Sequence, residues 1–317
     1  MTTLWPWISA AALMCLAPVY GYVAVTGRRT SLAFVFGLLL IGVLPWLLPA
    51  DLPIARFAGA VWALGLGFHL ADFAYERYPD PAMTSSMPRA VFTSFLGPDG
   101  WWPVDDDTAR RNRLEGLKRI GRGLLKQGPT LGLLAISTAW PQIHDWLMLK
   151  MFWVLWFTYF TLTAAFDILS GLAMVGVGVW ANETFDWPAF ATSPRNFWSR
   201  RWNLWFRHQA HRHIFVPLGG SDRPVLGVVT VFAFSAVAHE YMIIAALGST
   251  SGHMTVFFTL HCIATLGYGV VSQRRSGRPF MPGWIAVPTH LAWFTATAWF
   301  FLTPMLQICP VNEFHLW

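Results

Sequence analysis

Residues 225–247 read VLGVVTVFAFSAVAHEYMIIAAL. At 1.5 Å per residue, a run of about this length crosses the roughly 30 Å of hydrocarbon in a bilayer. A helix satisfies that need within one segment, because lipid offers no partner to an open backbone N–H or C=O. The run therefore reads as a membrane-spanning helix, and its discordant feature is the pair His239–Glu240. His239 stands roughly 20 Å along the helix from Val225. Ionisable side chains at that depth are costly and ordinarily face a bundle interior, a cavity or a substrate path, so the pair marks a functional candidate. Burial disfavours the imidazolium form, which leaves His239 a neutral imidazole able to take a proton. The plain alternative is a histidine that only bonds between two helices, and the neighbouring Glu240 weighs against it.

Similar apolar runs recur at Leu4–Val25, Ser31–Leu48, Ile54–Ala74, Leu124–Ala139, Leu147–Phe166, Met254–Val271 and Trp284–Thr303. The expectation is an all-α polytopic membrane protein of about 8 transmembrane helices, one membrane-embedded domain over residues 1–317. Composition agrees: 55% of the 317 residues are apolar and 12% charged, against about 25% charged in ordinary soluble domains. Nineteen Trp and seven Tyr suit the boundary between hydrocarbon and headgroups. Cys15, Cys262 and Cys309 have no spacing that suggests zinc or a disulfide framework. The first run is followed by Arg28 and Arg29 and has no basic segment before it, the reverse of a cleavable signal, so it is expected to stay as an anchor.

Basic clusters set the expected topology. Arg28–Arg29, Arg110–Lys126, Arg195–Arg212 and Arg274–Arg278 fall on one side of these spans. The positive-inside rule makes that side cytoplasmic and puts both termini on the opposite face. The apolar stretch 166–180 would invert every later loop if it spanned, so it is expected to be re-entrant. Residues 108–127, TARRNRLEGLKRIGRGLLKQ, alternate Leu and Ile at helical spacing with bases, as an interfacial helix on anionic headgroups would. The net charge of +6 is accounted for by these loops and membrane lipids, and no nucleic-acid partner is read from it.

Chemistry concentrates in 185–220, FDWPAFATSPRNFWSRRWNLWFRHQAHRHIFVPLGG. Arg195, Arg200, Arg201, Arg207 and Arg212 interleave with Phe197, Trp198, Trp202, Trp205 and Phe206. Such a loop can lay rings into acyl chains while guanidinium groups meet headgroups or a bound phosphate. An interfacial anchor would use the same residues. Asp167 and His69 also lie near apolar segments, where closing a helix–helix hydrogen bond is the expected role.

FDWP, then SPRNFWSRRWN, then AHEY with His239 36 positions beyond Asn203, together resemble the membrane-bound O-acyltransferase superfamily, most closely its wax synthase-like branch. The resemblance covers 185–241. It implies a helical bundle with re-entrant and interfacial helices around a central tunnel, and Asn203 and His239 as the catalytic pair. It also implies acyl-CoA as a co-substrate from the cytosol, with a lipophilic alcohol entering from the bilayer and no further cofactor or metal. On that reading Arg200, Arg201, Arg207 and Arg212, with Trp198 and Trp202, bind the donor, and Glu240 ranks third as a catalytic residue that fixes the His239 tautomer. HQAHRH at 208–213 departs from any family pattern, which puts the shape of the substrate pocket in question.

Two other classes compete. A di-iron hydroxylase or desaturase would use His208, His211 and His213, but on a helix His213 lies about 140° from His208, a poor ligand set. A transporter or lipid scaffold would also carry many spans and an intramembrane acid–base pair. Short loops suit a bacterial inner membrane, with the endoplasmic reticulum as the other host; acceptor, acyl length and oligomeric state are left open by the sequence.

Overall fold

The computed structural model describes residues 4–26, 30–78, 80–96, 100–274 and 281–313. Arg28, Arg29 and residues 275–278 of the last basic cluster lie outside them. Two compact units emerge, and each is built almost wholly of helix.

The first unit comprises Met1–Gly116, Leu172–Asn182 and Tyr241–Thr250. Helices α1 (Trp5–Thr26), α2 (Thr30–Val43) and α3 (Pro53–Ala74) pack through Ala17, Ile41, Leu66 and Leu70. Pro45 cannot continue the α2 pattern, and the chain tightens there into a single turn, Leu44–Leu47. Gly59 of α3 lets that turn approach, since a Cβ would come within 3.1 Å of Leu48 Cδ1. Short helix α4 (Met87–Leu96) closes over Phe73 through Ala90. Strand β1 (Gly100–Trp101) pairs antiparallel with β2 (Trp180–Ala181). The Tyr241 hydroxyl donates to the Gly42 carbonyl at 2.8 Å.

The long helix α5 (Asp106–Ala139) follows β1. Asp105 caps it by accepting from the Thr108 N–H at 2.6 Å, and that bond holds the Asp105 carboxyl below its usual range. Residues expected to form an interfacial helix (108–127) and a separate span (124–139) are thus one element of 34 residues.

The second unit comprises Leu117–Gly171, Glu183–Glu240 and Ser251–Trp317. It holds the rest of α5 and most of α6 (Leu147–Val177), α7 (Pro194–Arg200), α8 (Leu204–Ala210), a π-helical turn (His211–Phe215), α9 (Pro224–Leu247), α10 (His253–Arg274) and α11 (Gly283–Ile308). One core forms from Ile143, Met151, Trp153, Val154 and Phe157 against Ala298 and Leu302 of α11.

Among the described residues six helices are long and apolar enough to cross a membrane, within α1, α3, α6, α9, α10 and α11; Phe34–Leu47 is apolar but shorter. The count among the described residues is six where the sequence suggests about eight. Ser31–Leu48 is cut short at Pro45, and Leu124–Ala139 completes a helix whose first half is strongly charged. The re-entrant reading of 166–180 is also corrected: α6 continues unbroken to Val177. Asp167 within this stretch is neutralised by partners on α5.

That partnership reassigns part of the basic helix. Arg122 Nε and Nη2 donate to Asp167 at 2.9 and 2.5 Å, Lys126 Nζ donates to it at 2.6 Å, and Arg119 pairs with Glu183 at 3.2 Å. These three bases face protein, not headgroups. Gly123 permits the contact, because a Cβ there would stand 2.7 Å from Ile168 Cγ1 and 2.9 Å from the Ala164 carbonyl. Arg110, Arg111, Arg113 and Lys118 do point outward, beside exposed Leu114, Leu117 and Leu125. That outward face keeps the amphipathic character of a lipid-surface helix.

Candidate active site

The motif 185–203 folds as a rigid aromatic plug. Pro194 at the first helical position and Ser193, whose hydroxyl accepts from the Asn196 N–H, start α7. Trp202 stacks on Phe197 (5.4 Å between centroids, 15° between planes) and touches Phe185 at 4.8 Å. Arg201 locks the FDWP turn onto α7: its Nε donates to Asn196 Oδ1 at 2.8 Å and its Nη1 to the Asp186 and Trp187 carbonyls at 3.1 Å. Trp187 and Asn203 both hold positive φ, 45° and 44°. Asn tolerates that left-handed conformation, whereas Trp adopts it only where its surroundings impose it.

Asn203 caps α8, accepting from the Phe206 N–H through Oδ1 at 3.2 Å. Its Nδ2 hydrogens donate to no described residue, so the amide stays available as a donor. Arg200 and Arg207 are exposed and form no hydrogen bond or ion pair among the described residues. Arg212 sits half-buried in the π-helical turn with His211 and His213.

His239 is oriented by its own helix. Nδ1 lies 2.7 Å from the Ser235 carbonyl. A carbonyl only accepts, so Nδ1 carries the hydrogen, and in the neutral ring Nε2 keeps its lone pair. The ring rests against Phe258 at 4.6 Å and Phe301 at 5.8 Å, from α10 and α11. On α9 and α10, Val237 and Ile263 point outward, 70% and 63% exposed, as lipid-facing side chains do. His239 is thus turned into the second unit and holds a nitrogen free to accept a proton.

Glu240 does not supply this orientation. Its carboxylate accepts from the Thr255 N–H and hydroxyl at 2.8 and 2.9 Å, at the first turn of α10. There it offsets the orphan N–H groups and positive dipole of the helix end. Asn203 and His239 are not joined by a hydrogen bond; each is held by its own backbone partner.

Trp198 also has a role the sequence did not suggest. Its Nε1–H donates to His261 Nδ1 at 3.2 Å, which obliges His261 to be neutral with its hydrogen on Nε2. That nitrogen donates to Thr297 Oγ1 at 3.0 Å, and the Thr297 hydroxyl donates onward to the Trp293 or Phe294 carbonyl. Every position on the fully buried His261 ring is used, so it joins α7, α10 and α11 and serves as no base. His261 and His290 lie inside apolar runs and carried the same depth signal as His239, and reading the sequence passed over both. Among the described residues no group of three or more His, Cys, Asp or Glu is gathered in a metal-binding arrangement.

Spans, an oriented intramembrane imidazole and a basic aromatic plug describe a polytopic membrane protein. Residues 180–260, which include both Asn203 and His239, match the Membrane bound O-acyl transferase family. Two relatives from Arabidopsis thaliana bear the names "Probable long-chain-alcohol O-fatty-acyltransferase 7" and "Probable long-chain-alcohol O-fatty-acyltransferase 3". The first is 28% identical over 166 residues, 48% of this chain and 48% of its own. The second is 26% identical over 164 residues, 47% of each. The chain spans about half the length of the curated relatives it matches. These matches make the chain similar to the Membrane bound O-acyl transferase family over residues 180–260 and, over about half its length, to these long-chain-alcohol O-fatty-acyltransferases.

Proposed function

We propose that this protein transfers a fatty acyl group from acyl-CoA to the hydroxyl of a lipophilic alcohol. His239 Nε2 takes the hydroxyl proton as the alcohol oxygen attacks the thioester carbon. The carbon–sulfur bond then breaks, the thiolate leaves, and the proton passes from imidazolium to sulfur, giving ester and free coenzyme A. No acyl-enzyme is required. Asn203 Nδ2 donates to the thioester oxygen as it gains charge, a contribution of about 3 kcal/mol at comparable sites. Exposed Arg200 and Arg207, with Arg212, meet the donor's phosphates.

The observation that carries this reading is the Nδ1–H bond to the Ser235 carbonyl, which leaves Nε2 as the basic nitrogen. Names of the relatives support a long-chain alcohol as acceptor. Arg201 is withdrawn from the donor set, since its guanidinium is spent on the FDWP turn. Short loops suit a bacterial inner membrane, and the endoplasmic reticulum accommodates the same architecture.

The test incubates purified protein with mixed acyl-CoAs and a panel of lipid alcohols, following ester mass and free thiol. Wild type should release coenzyme A only with an alcohol present, and His239→Ala should lose about 100-fold or more of that rate. Full turnover in a folded His239→Ala protein would sink the proposal.

A further inference from the structure

A second polar group lies along the facing sides of α10 and α11. His290 is 4% exposed and Thr265 8%. Both ring nitrogens of His290, the Thr265 hydroxyl and the Trp293 Nε1–H lack hydrogen-bond partners. Buried polar atoms are nearly always satisfied, and each one left open costs free energy. The Trp198–His261–Thr297 chain beside them is complete.

Position along the helices gives them an order. On α10, Gly269, Thr265, His261 and Phe258 follow one another down one side, roughly 16 Å from end to end. At the Gly269 end stands Arg195, whose Nη1 lies 3.9 Å from where a Cβ of that glycine would be. At the Phe258 end stands His239. On α11, His290, Trp293, Phe294, Thr297 and Phe301 share a face at helical spacing. Phe294 touches both His290 (5.9 Å) and His261 (5.1 Å), and Trp293 lies 6.0 Å from His261. The sequence of chemistries is a cation, then uncharged donors and acceptors, then a basic imidazole.

A coenzyme A thioester has the matching order: phosphate, then a hydroxyl and amides, then the thioester carbon. A simple hydrocarbon chain would leave these polar atoms unsatisfied. We propose that His290, Thr265 and Trp293 form a hydrogen-bonding subsite for the uncharged amide and hydroxyl arm of the donor, between Arg195 and His239. The inference rests on the acyl-CoA reading above. Trp293 donates to a carbonyl oxygen, while neutral His290 and Thr265 each offer a donor and an acceptor.

His290→Phe and Thr265→Val remove the polar atoms and keep similar bulk. Because those atoms bond nothing in the protein, neither variant should melt below wild type without ligand. Acyl-CoA added without alcohol should raise the melting temperature of wild type and raise it less in both variants. In turnover, the Michaelis constant for acyl-CoA should rise about tenfold, the effect of losing roughly one buried hydrogen bond, while that for a simple long-chain alcohol stays within about twofold. With an S-ethyl acyl thioester, which has no arm, the difference between wild type and variants should vanish.

Ester formation with unchanged donor constants in both variants overturns the subsite alone. A penalty seen only with α,ω-diols, not with the donor, also overturns it and assigns the atoms to a second oxygen on the acceptor. An acyl-CoA melting shift that the variants lose, without ester from any alcohol, overturns the catalytic reading and leaves the subsite standing.

Discussion

His239 and Asn203 are each held by one local bond, and those bonds separate structural from chemical roles. Asn203→Asp keeps an oxygen to cap α8 and a residue type that tolerates positive φ, but it removes the amide hydrogens. If the amide donates to the reacting oxygen, this variant should melt like wild type and turn over at least about 100-fold more slowly. A fully active Asn203→Asp would leave Asn203 as a helix cap only. Glu240 divides the other way. Glu240→Gln retains an oxygen for the Thr255 N–H and hydroxyl, so it should keep most activity, whereas Glu240→Ala should lose both activity and thermal stability. Equal inactivation by the two would restore a catalytic carboxylate.

Helices α5 and α6 are joined by charge buried against charge. Asp167 is 6% exposed and accepts from both Arg122 and Lys126. Asp167→Ala would leave Lys126 without this acceptor and Arg122 with Glu183 alone, and breaking such a pair costs about 3 kcal/mol; thermal unfolding in detergent should show a clear fall. Gly123→Val should lower stability by about 1–3 kcal/mol through overpacking against Ile168 and the Ala164 carbonyl, and a loss in Gly123→Ala smaller than that would fit the same cause. For α7, Trp198→Phe keeps the ring but strands His261 Nδ1 inside the protein, a cost of about 1–3 kcal/mol. No loss of stability in that variant would show that the Trp198–His261 bond does not hold the plug.

Across the whole chain, membrane class and the candidate segment were readable from residues in order, because lipid imposes long apolar runs and makes each buried charge conspicuous. His239 was found by that contrast alone. Pairings were not readable, since they join positions such as Arg122 with Asp167, Glu240 with Thr255 and Trp198 with His261. Basic residues at 119, 122 and 126 look alike in sequence to those at 110, 111 and 113, yet the first group faces carboxylates and the second faces outward. Bounds differ at α2 and α5, where a proline and a charged first half shape helices that hydropathy divides otherwise. Solvent preference is a sum over neighbouring residues and survives in one dimension. Which nitrogen of His239 holds its hydrogen, which arginines remain free and which histidines are already spent depend on atoms brought together from distant segments, and only the folded chain decides them.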